Sequence, residues 1–328
     1  MADPNSNYAG DLIATTLETF MREQPTDVIF KGIPLWEQLK SKNRVRKDGG
    51  KRIEEPLMYA KSTAVGSYSG LDTMDISTQT GFTNADFDWK QYYGTVTISG
   101  ADRRKNQGKS AIYNLLDARW EQARMSLADV MASDIFLDGT GNSSKKLTGL
   151  ALAVDSAGTY GNISRSSNSW WSSTETAAGG VLTLQGSTGL RKIYNDVMRG
   201  QNSMTPDLGI MTQTGFESYM ALSDSGMRYT TAGDGNVSFT TPSLMYMNMR
   251  LVWDQYCQTQ TMYILNTSYL ALVTMEDMAG PDYKGDFAYE PLMKPVNQDS
   301  ETAKFLFMGN LTSSNCARQG KLTGITNG

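Results

Sequence analysis

SAIYNLLDARWEQARMSLADVMASDIFL, residues 110–137, contains the clearest helical pattern in the chain. Its apolar side chains recur at spacings of three and four residues, from Ile112 through Leu116 and Leu127 to Met131. Ser110 is a suitable N-cap, and the turn sequence DGTGN follows directly after the stretch. At about 1.5 Å per residue the predicted helix is roughly 40 Å long, which is longer than a typical globular helix.

Upstream of this helix, the charge of the chain changes sign. Residues 40–52 hold seven basic residues and one acidic residue. Residues 53–102 hold seven acidic and two basic residues, a net charge of −5, and residues 103–109 are basic again. The sequence therefore predicts an acidic segment whose two ends are basic.

This acidic segment has two strand-like halves, at about 52–64 and 82–99, interrupted by GSYSG at 66–70. Gly49 and Gly50 predict a turn, which we interpret as a hinge at the root of an arm. An antiparallel pair of about 13 residues reaches roughly 40 Å, and such a ribbon is only marginally stable alone. Because the halves show no apolar stripe for the protein's own core, we expect other copies of the chain to cover them.

The rest of the chain mixes helices and strands without regular alternation, which predicts an α+β fold. Short amphipathic or apolar segments precede the arm at 8–23 and 33–39. Further helices are predicted at 186–199 and 213–222. Strands are predicted at 206–212, 249–254, 261–265, 269–275, 303–312 and 314–325.

Composition excludes several classes of function. The 328 residues include no histidine, which removes Ser-His-Asp catalysis and histidine-bound metal sites. A net charge of −4 does not fit a basic nucleic-acid-binding protein. No apolar run approaches the roughly 18 residues of a membrane helix, and the N-terminus does not resemble a signal peptide. We expect a cytoplasmic, soluble product whose two cysteines, Cys257 and Cys316, are reduced thiols rather than a disulfide.

The short motifs do not build an active site. DGGKR at 48–52 lacks the spacer and the hydroxyl residue of a phosphate-binding loop. GDGN at 233–236 lacks the spaced carboxylates of a calcium loop. Glu54 and Glu55 are adjacent on a predicted strand, so they point to opposite faces and cannot act as an acid–base pair. We therefore predict no catalytic, cofactor-binding or metal-binding residues, and no enzymatic activity.

The basic stretch 40–52 fits two partners. Its cations could bind nucleic-acid phosphates, or they could dock against the acidic arm of a neighbouring copy. We favour docking, because unlike patches on one chain support head-to-tail contacts that close rings. The residues expected at contacts between copies are Arg44, Arg46, Lys51, Arg52, Glu54, Glu55, Tyr59, Tyr68, Asp72, Asp75, Trp89, Arg103 and Arg104.

Several segments, in this order, resemble a known family. They are FDWKQYYGTVTISGADRRKNQG at 87–108, LLDARWEQARMSLADVMASDIFLDGTG at 115–141, LTGL at 147–150 and ISRSSNSWW at 163–171. Together they resemble the major capsid proteins of tailed double-stranded-DNA bacteriophages, which have the Hong Kong 97-type coat fold. The resemblance covers nearly the whole chain, although its motifs are diffuse and none is decisive alone.

The resemblance implies a division of the chain into parts. These are an N-terminal arm (1–44), an extended loop formed by a long β-hairpin (45–109), a peripheral domain (110–186) with its spine helix at 110–137, an axial domain (187–290) and strands returning to the peripheral domain (291–328). It also implies an axial tip near residues 223–239, for which Arg228, Asp234 and Asn236 are the expected contact residues.

The resemblance implies a structural role without a cofactor. Copies would form hexamers and pentamers of an icosahedral virion shell, assembled in the cytoplasm of a host bacterium. No membrane is expected among the partners. Other implied partners are a separate scaffolding protein, a portal protein, a decoration protein and packaged double-stranded DNA, contacted weakly and without sequence specificity. Some relatives crosslink their subunits, and here Lys61 with Asn310 or Asn315 would be the formal pair. The open alternatives are an encapsulin-like protein compartment and a cell-surface hydrolase or sugar-binding protein.

Overall fold

The structure is a computed structural model that describes residues 34–105, 115–198, 205–224, 244–275, 288–295 and 297–326. Its α-helices are α1 (Pro34–Ser41), α2 (Gly100–Lys105), α3 (Leu115–Asp134), α4 (Leu150–Ala153), α5 (Leu190–Val197) and α6 (Gln213–Asp224), and Gly141–Ser144 forms a further, distorted helical turn. Its strands are β1 (Val45–Asp48), β2 (Ile53–Met58), β3 (Phe82–Phe87), β4 (Lys90–Ser99), β5 (Thr159–Tyr160), β6 (Ile163–Ser164), β7 (Thr174–Val181), β8 (Leu208–Met211), β9 (Leu244–Tyr246), β10 (Met249–Trp253), β11 (Met262–Leu265), β12 (Leu270–Met275), β13 (Ala288–Met293), β14 (Ser300–Ser313) and β15 (Gly320–Thr326).

The chain divides into two compact units. Of the described residues, the first unit contains 92–105, 115–130, 288–295 and 297–307. The second unit contains 34–91, 131–198, 205–224, 244–275 and 308–326. The chain passes between the units within β4, α3 and β14, and the large second unit holds the arm.

A six-stranded sheet forms the larger core of the second unit, with strand order β7-β15-β11-β8-β10-β9. Its inner strands β8 and β11 are buried along their whole length, as expected for strands covered on both faces. The apolar face of α5 supplies Leu190, Ile193 and Val197 to this core, and α6 supplies Phe216. The helix spacing predicted at 186–199 and 213–222 is therefore a core-packing pattern.

A second sheet of the same unit contains β1, β12 and the C-terminal half of β14. β1 pairs with β12 in parallel, and β12 pairs with β14 in antiparallel. Helix α1 buries Leu35 and Leu39, so the apolar patch at 33–39 packs against the body of its own chain. The predicted helix at 8–23 lies outside the described residues.

The first unit consists of α2, β13, the N-terminal half of β14, most of β4 and most of α3. β13 pairs with β14 in antiparallel, and β4 also pairs with β14. The Arg119 guanidinium of α3 donates a 2.9 Å hydrogen bond to the carbonyl oxygen of Thr97 on β4. The long helix predicted at 110–137 is observed over Leu115–Asp134, while residues 110–114 lie outside the described part.

The arm differs from its prediction in two respects. The antiparallel pair joins only β2 to β3, from Ile53↔Phe87 to Met58↔Phe82, so the expected strands at 52–64 and 82–99 were too long. The second half is broken after Phe87, and β4 pairs with β14 rather than with the arm. The expectation that the pair has no core-facing stripe was also wrong, because alternate residues of β2 are buried.

Other predictions from the sequence are confirmed. Gly50 has a φ of +97°, which a glycine adopts without strain, in the turn between β1 and β2. The tail forms β14 and β15 near the expected positions. Both cysteines are free and buried. The mixture of helices with mostly antiparallel strand pairs confirms the α+β class.

Candidate assembly interface

The arm has two parts: a root, which is the β2–β3 pair, and a tip, which is residues 59–81. A buried ion pair is the first contact that fixes the root. Glu55 points inward from β2 and is only 4% exposed. Its carboxylate pairs with the Arg46 guanidinium and accepts a 3.0 Å hydrogen bond from the Thr312 hydroxyl. Partial burial, with the nearby charge of Arg44, lowers the pKa of Arg46. Because a buried carboxylate needs such partners, Glu55 holds β2 to β1 and β14.

A buried amide fixes the end of the root, where β3 gives way to β4. Asn310 on β14 is fully buried, and its amide nitrogen donates to the Asp88 carbonyl oxygen at 2.9 Å and to the Thr148 hydroxyl at 3.2 Å. Its amide oxygen accepts from the backbone N–H groups of Thr148 and Leu311, both at 2.9 Å. The side chain is therefore fully satisfied and joins three segments distant in sequence.

Two further bonds hold the same end of the root. The Trp89 indole donates a 3.0 Å hydrogen bond to the Gly50 carbonyl oxygen. The Lys90 ammonium donates a 2.6 Å hydrogen bond to the Ser144 carbonyl oxygen. These bonds tie the Asp88–Lys90 corner to the turn that we predicted as a hinge, so the root is bonded to the body on both sides of that turn.

Aromatic packing fixes the other face of the root. The rings of Phe87 and Tyr160 meet edge to face at 4.9 Å, and the Asp86 N–H donates to the Gly161 carbonyl oxygen at 3.1 Å. At the outer end of the pair, Tyr59 stacks on Trp170 at a centroid distance of 5.3 Å. Trp170 thus lies against the arm, and its neighbour Trp171 is buried.

The tip beyond Tyr59 has a different character. Three of its apolar side chains, Val65, Leu71 and Ile76, are 80%, 103% and 94% exposed. Its hydrogen bonds are internal: the Gln79 amide oxygen accepts from both the N–H and the hydroxyl of Thr63, at 3.2 and 2.8 Å. The tip is therefore a preformed loop that presents apolar groups to its surroundings, carried on a rigid root.

The acidic residues of the tip serve its local turns. The Asp72 carboxylate accepts from the Ser69 N–H at 2.8 Å, and that of Asp75 accepts from the Ser77 N–H at 2.9 Å. The bonds from Ser77 lower the pKa of Asp75. Tyr68 is 64% exposed, and Glu54 and Lys51 are exposed at the root.

Most of the basic residues predicted to dock against a neighbour have partners within the chain. Lys42 pairs with Asp207 at 2.7 Å, and Arg52 pairs with Asp88 of the acidic arm itself at 3.3 Å. The Arg44 guanidinium donates to the carbonyl oxygens of Leu270, at 3.1 Å, and Ser268. With Arg46, four of the seven cations in 40–52 are engaged in this way. The charges that could drive docking are fewer than the sequence indicated.

The remaining predicted residues divide into three sets: one in an ion pair, those outside the described part, and the crosslink candidates. Arg104 pairs with Asp299 at 2.6 Å in the first unit. The side chain of Arg103 and the axial-tip residues Arg228, Asp234 and Asn236 lie outside the described part. Asn310 is buried and fully bonded, so its amide is not accessible to Lys61, and Asn315 stays a prediction for a crosslink.

Sequence reasoning missed the apolar side chains of the tip. Leu71 and Ile76 stand singly among Gly, Ser, Thr and Asp, so no helical or strand period draws attention to them. The signal that could have identified them is their position: isolated large aliphatic groups in a turn-rich segment with no local partner. Glu55 was expected to face a neighbour, whereas its carboxylate is engaged inside its own chain.

Within the described ranges, no group of three or more potential metal ligands lies together. No helix in those ranges has both the length and the apolar character needed to cross a membrane.

The two buried thiols have raised pKa values, about 12 for Cys257 and about 11 for Cys316, chiefly because burial disfavours the thiolate.

No family model and no curated protein sequence matches the chain. Solved structures do match it in fold. The capsid asymmetric unit of cyanophage A-1(L) superposes with a TM-score of 0.69 at 16% identity, covering 93% of this chain and 95% of the other. The capsid of a native GTA particle gives a TM-score of 0.58 at 10% identity, covering 93% and 95%.

An encapsulin complex has the same fold. The holo-SrpI encapsulin complex from Synechococcus elongatus PCC 7942 gives a TM-score of 0.58 at 8% identity, covering 94% of this chain and 95% of the other. At such identities the likeness establishes architecture, over nearly the full length of both partners. The chain therefore has the Hong Kong 97-type coat fold that is shared by tailed-phage capsid proteins and encapsulins.

Proposed function

We propose that this chain is the major capsid protein of a tailed bacteriophage, a structural protein whose copies assemble into an icosahedral shell around double-stranded DNA. The observation that carries the proposal is the arm: a root bonded to the body supports a tip whose apolar side chains are almost fully exposed. Exposed apolar groups gathered on one protrusion mark an interaction site. On the coat fold, such a tip has a natural occupant in a second copy of the chain.

The apolar groups supply enough energy for assembly. Burying one Leu, Ile or Val side chain contributes about 1.5–3 kcal/mol. The three tip residues Val65, Leu71 and Ile76 would together contribute at most about 5–9 kcal/mol per arm, before the entropic cost of docking. Each shell subunit would both insert one arm and receive another, so a modest contact repeats around the whole shell.

The remaining partners follow from the same proposal. Hexamers and pentamers would build the shell, with a separate scaffolding protein during assembly, a portal protein at one vertex and an added decoration protein outside. A net charge of −4 suits a wall that contacts packaged DNA weakly. The location would be the virion, with assembly in the cytoplasm of the host bacterium, and the role would be structural rather than enzymatic.

A second candidate function is a protein-cargo compartment, because an encapsulin complex shares the fold at a TM-score of 0.58. The cyanophage capsid superposes more closely, at 0.69. The contents of purified particles distinguish the two: packaged DNA supports the capsid, and a co-purifying enzyme supports the compartment.

The test of the arm is a double variant, Leu71→Ser with Ile76→Ser, compared with Thr73→Ser with Thr78→Ser in the same exposed loop. Because Leu71 and Ile76 are not buried, the double variant should keep the wild-type melting temperature. Under conditions in which the wild type and the control form particles, the Leu71→Ser, Ile76→Ser variant should remain unassembled or assemble only at a protein concentration at least about 100-fold higher. The reason is that the two lost apolar contacts together contribute more than about 2.8 kcal/mol. Normal assembly of this variant would contradict the proposed role of the tip.

A further inference from the structure

The outer face of the root carries two residue pairs that the proposed role of the tip does not use. In the register of β2 and β3, Glu54 lies directly opposite Asp86, and Met58 lies directly opposite Phe82. These side chains point away from the buried alternate residues of β2, and Met58 and Phe82 are 75% and 80% exposed. The face therefore has an acidic end beside the hinge turn and an apolar end that continues into the tip.

The acidic pair is a local cost to the arm. Like charges directly opposite each other on two strands destabilise the strand pair. Among the described residues, no ion pair engages Glu54 or Asp86, and the nearby arginines Arg46 and Arg52 pair with other carboxylates. An acidic face without an internal counter-charge fits a cationic surface from outside the chain.

A cation with matching surroundings lies on the β9–β10 hairpin, at the edge of the six-stranded sheet. Arg250 on β10 is exposed and lies directly opposite Met245 on the edge strand β9. Met245 is exposed, and so is Met247 in the turn after β9. We call these three residues the hairpin patch. Among the cations whose opposite residue on a neighbouring strand is described, Arg250 alone faces an exposed large apolar side chain.

The hairpin patch is also retained at a local cost. In the described part of the chain, no carboxylate pairs with Arg250. Met247 has a φ of +52°, a left-handed conformation that is strained for a bulky side chain. Met245 exposes an apolar group on an edge strand, where natural proteins favour charged residues. Strain and apolar exposure at one hairpin are typical of a contact surface.

We propose that the outer face of the root docks on the hairpin patch of a second copy of the chain. The Arg250 guanidinium lies between the carboxylates of Glu54 and Asp86, because its planar fork can bond to both. The two methionines pack on the apolar end of the root, which their flexible side chains suit. The contact joins two different surfaces of identical chains, and repetition of such a contact closes a ring.

The inference rests on the proposed function, because the ring is a unit of the shell. It assigns the acidic arm a cationic partner outside the basic stretch 40–52, most of whose cations are engaged within the chain. It also adds an electrostatic contact to the apolar contact of the tip, so salt should weaken this part of assembly.

Charge reversal tests the contact in the full chain. Arg250→Glu places like charges against the acidic pair, so it should raise the protein concentration needed for particle formation at least about tenfold. Glu54→Lys with Asp86→Lys should have a similar effect, and the three substitutions together should restore assembly to within about threefold of wild type. Arg191→Glu is the control, because it makes the same charge change at an exposed position on α5, and it should assemble normally.

The outcomes decide the proposal as follows. Normal assembly of Arg250→Glu, or a combined variant that assembles no better than Arg250→Glu while keeping the wild-type melting temperature, would overturn it. All the substituted side chains lie at the surface of the chain, so the melting temperatures should be unchanged.

Crosslinking tests the same contact without requiring shells. Copies with Asn84→Cys, on the outer face of the root, are mixed with copies with Met245→Cys and treated with a short bismaleimide, while both native thiols stay buried. A concentration of about 1 mM populates contacts too weak to build a shell. The mixture should give a crosslinked dimer that neither variant gives alone, and copies with Arg191→Cys in place of Met245→Cys should not give it.

The crosslink separates this inference from the proposed function. A mixture without the specific dimer would refute the contact, whether or not the wild type forms particles. A specific dimer from a protein that never forms shells would support the contact and count against the capsid role alone.

Discussion

Replacing Asn310 with leucine should lower the unfolding free energy far more than any surface substitution on the same strand. The side chain is fully buried and makes two donated and two accepted hydrogen bonds. Leucine has a similar volume but no polar atoms. The Asp88 carbonyl oxygen and the N–H groups of Thr148 and Leu311 would therefore lose this partner in a site that water does not reach.

The size of the effect follows from the count of orphaned groups. Each buried backbone group left without a partner costs about 1–3 kcal/mol. Three such groups give an expected loss of about 3–9 kcal/mol, a large fraction of the stability of an ordinary domain. Asn310→Asp should lose less at low pH, because a protonated carboxyl can still accept from Thr148 and Leu311 and donate to the carbonyl oxygen of Asp88.

The aspartate variant adds a pH signature. Burial would raise the pKa of the new carboxyl above its ordinary value of about 3.9, so the folded state would bind the proton more tightly than the unfolded state. The unfolding free energy of this variant, relative to wild type, should therefore rise as the pH falls toward 4, because a protonated carboxyl can donate to Asp88.

Urea denaturation of the unassembled protein measures these losses, with Asn315→Leu as the control. Asn315 is partly exposed and its side chain does not cap the turn that follows it. The control should change the unfolding free energy by less than about 0.5 kcal/mol. If Asn310→Leu changed it equally little, the amide would not be the clamp that the hydrogen bonds indicate.

Two further predictions concern the packing beneath the arm and the thiols. Gly161→Val should destabilise the folded protein by about 2–5 kcal/mol, since φ is +58° and the new Cβ atom would lie 2.9 Å from the Cβ atom of Ala85. Gly158→Val is the control: its φ is +76° and no atom lies within 4 Å of the new Cβ, so only backbone strain should lower its stability. Equal melting temperatures of the two variants would refute the packing argument. Cys257 and Cys316 should resist thiol reagents at pH 8 until the protein unfolds, and rapid labelling of the native protein would contradict this. The unfolding free energy should also fall as the pH rises above 9.0, the ordinary thiol pKa, toward the folded-state pKa values of about 12 for Cys257 and about 11 for Cys316, because the thiols of the unfolded state ionise first.

Elements with a local signal could be predicted from the sequence. The spacing of apolar residues identified α3, although the described helix ends at Asp134 rather than 137. The same reasoning located α6 and the strands of the tail, because periodicity and turn residues act over a few positions. The order of the segments identified the coat fold, which the solved structures confirm.

What could not be predicted depends on contacts between distant residues. Asn310 bonds to Asp88 across 222 positions, and Glu55 bonds to Thr312 across 257, so neither partner is visible in a local window. Arg165 lies in a Ser-rich stretch that is typical of a surface loop, yet it is buried. Charge patterns were misleading for the same reason: Arg52 is neutralised by Asp88 of its own chain rather than by a neighbour.

Electron cryomicroscopy of the protein assembled in bacterial cells tests the central claim most directly. The account predicts closed icosahedral shells in which the tip of each arm lies on an adjacent subunit, with Leu71 and Ile76 buried in that contact. A protein that stays monomeric, or shells in which these two side chains remain exposed to solvent, would contradict it.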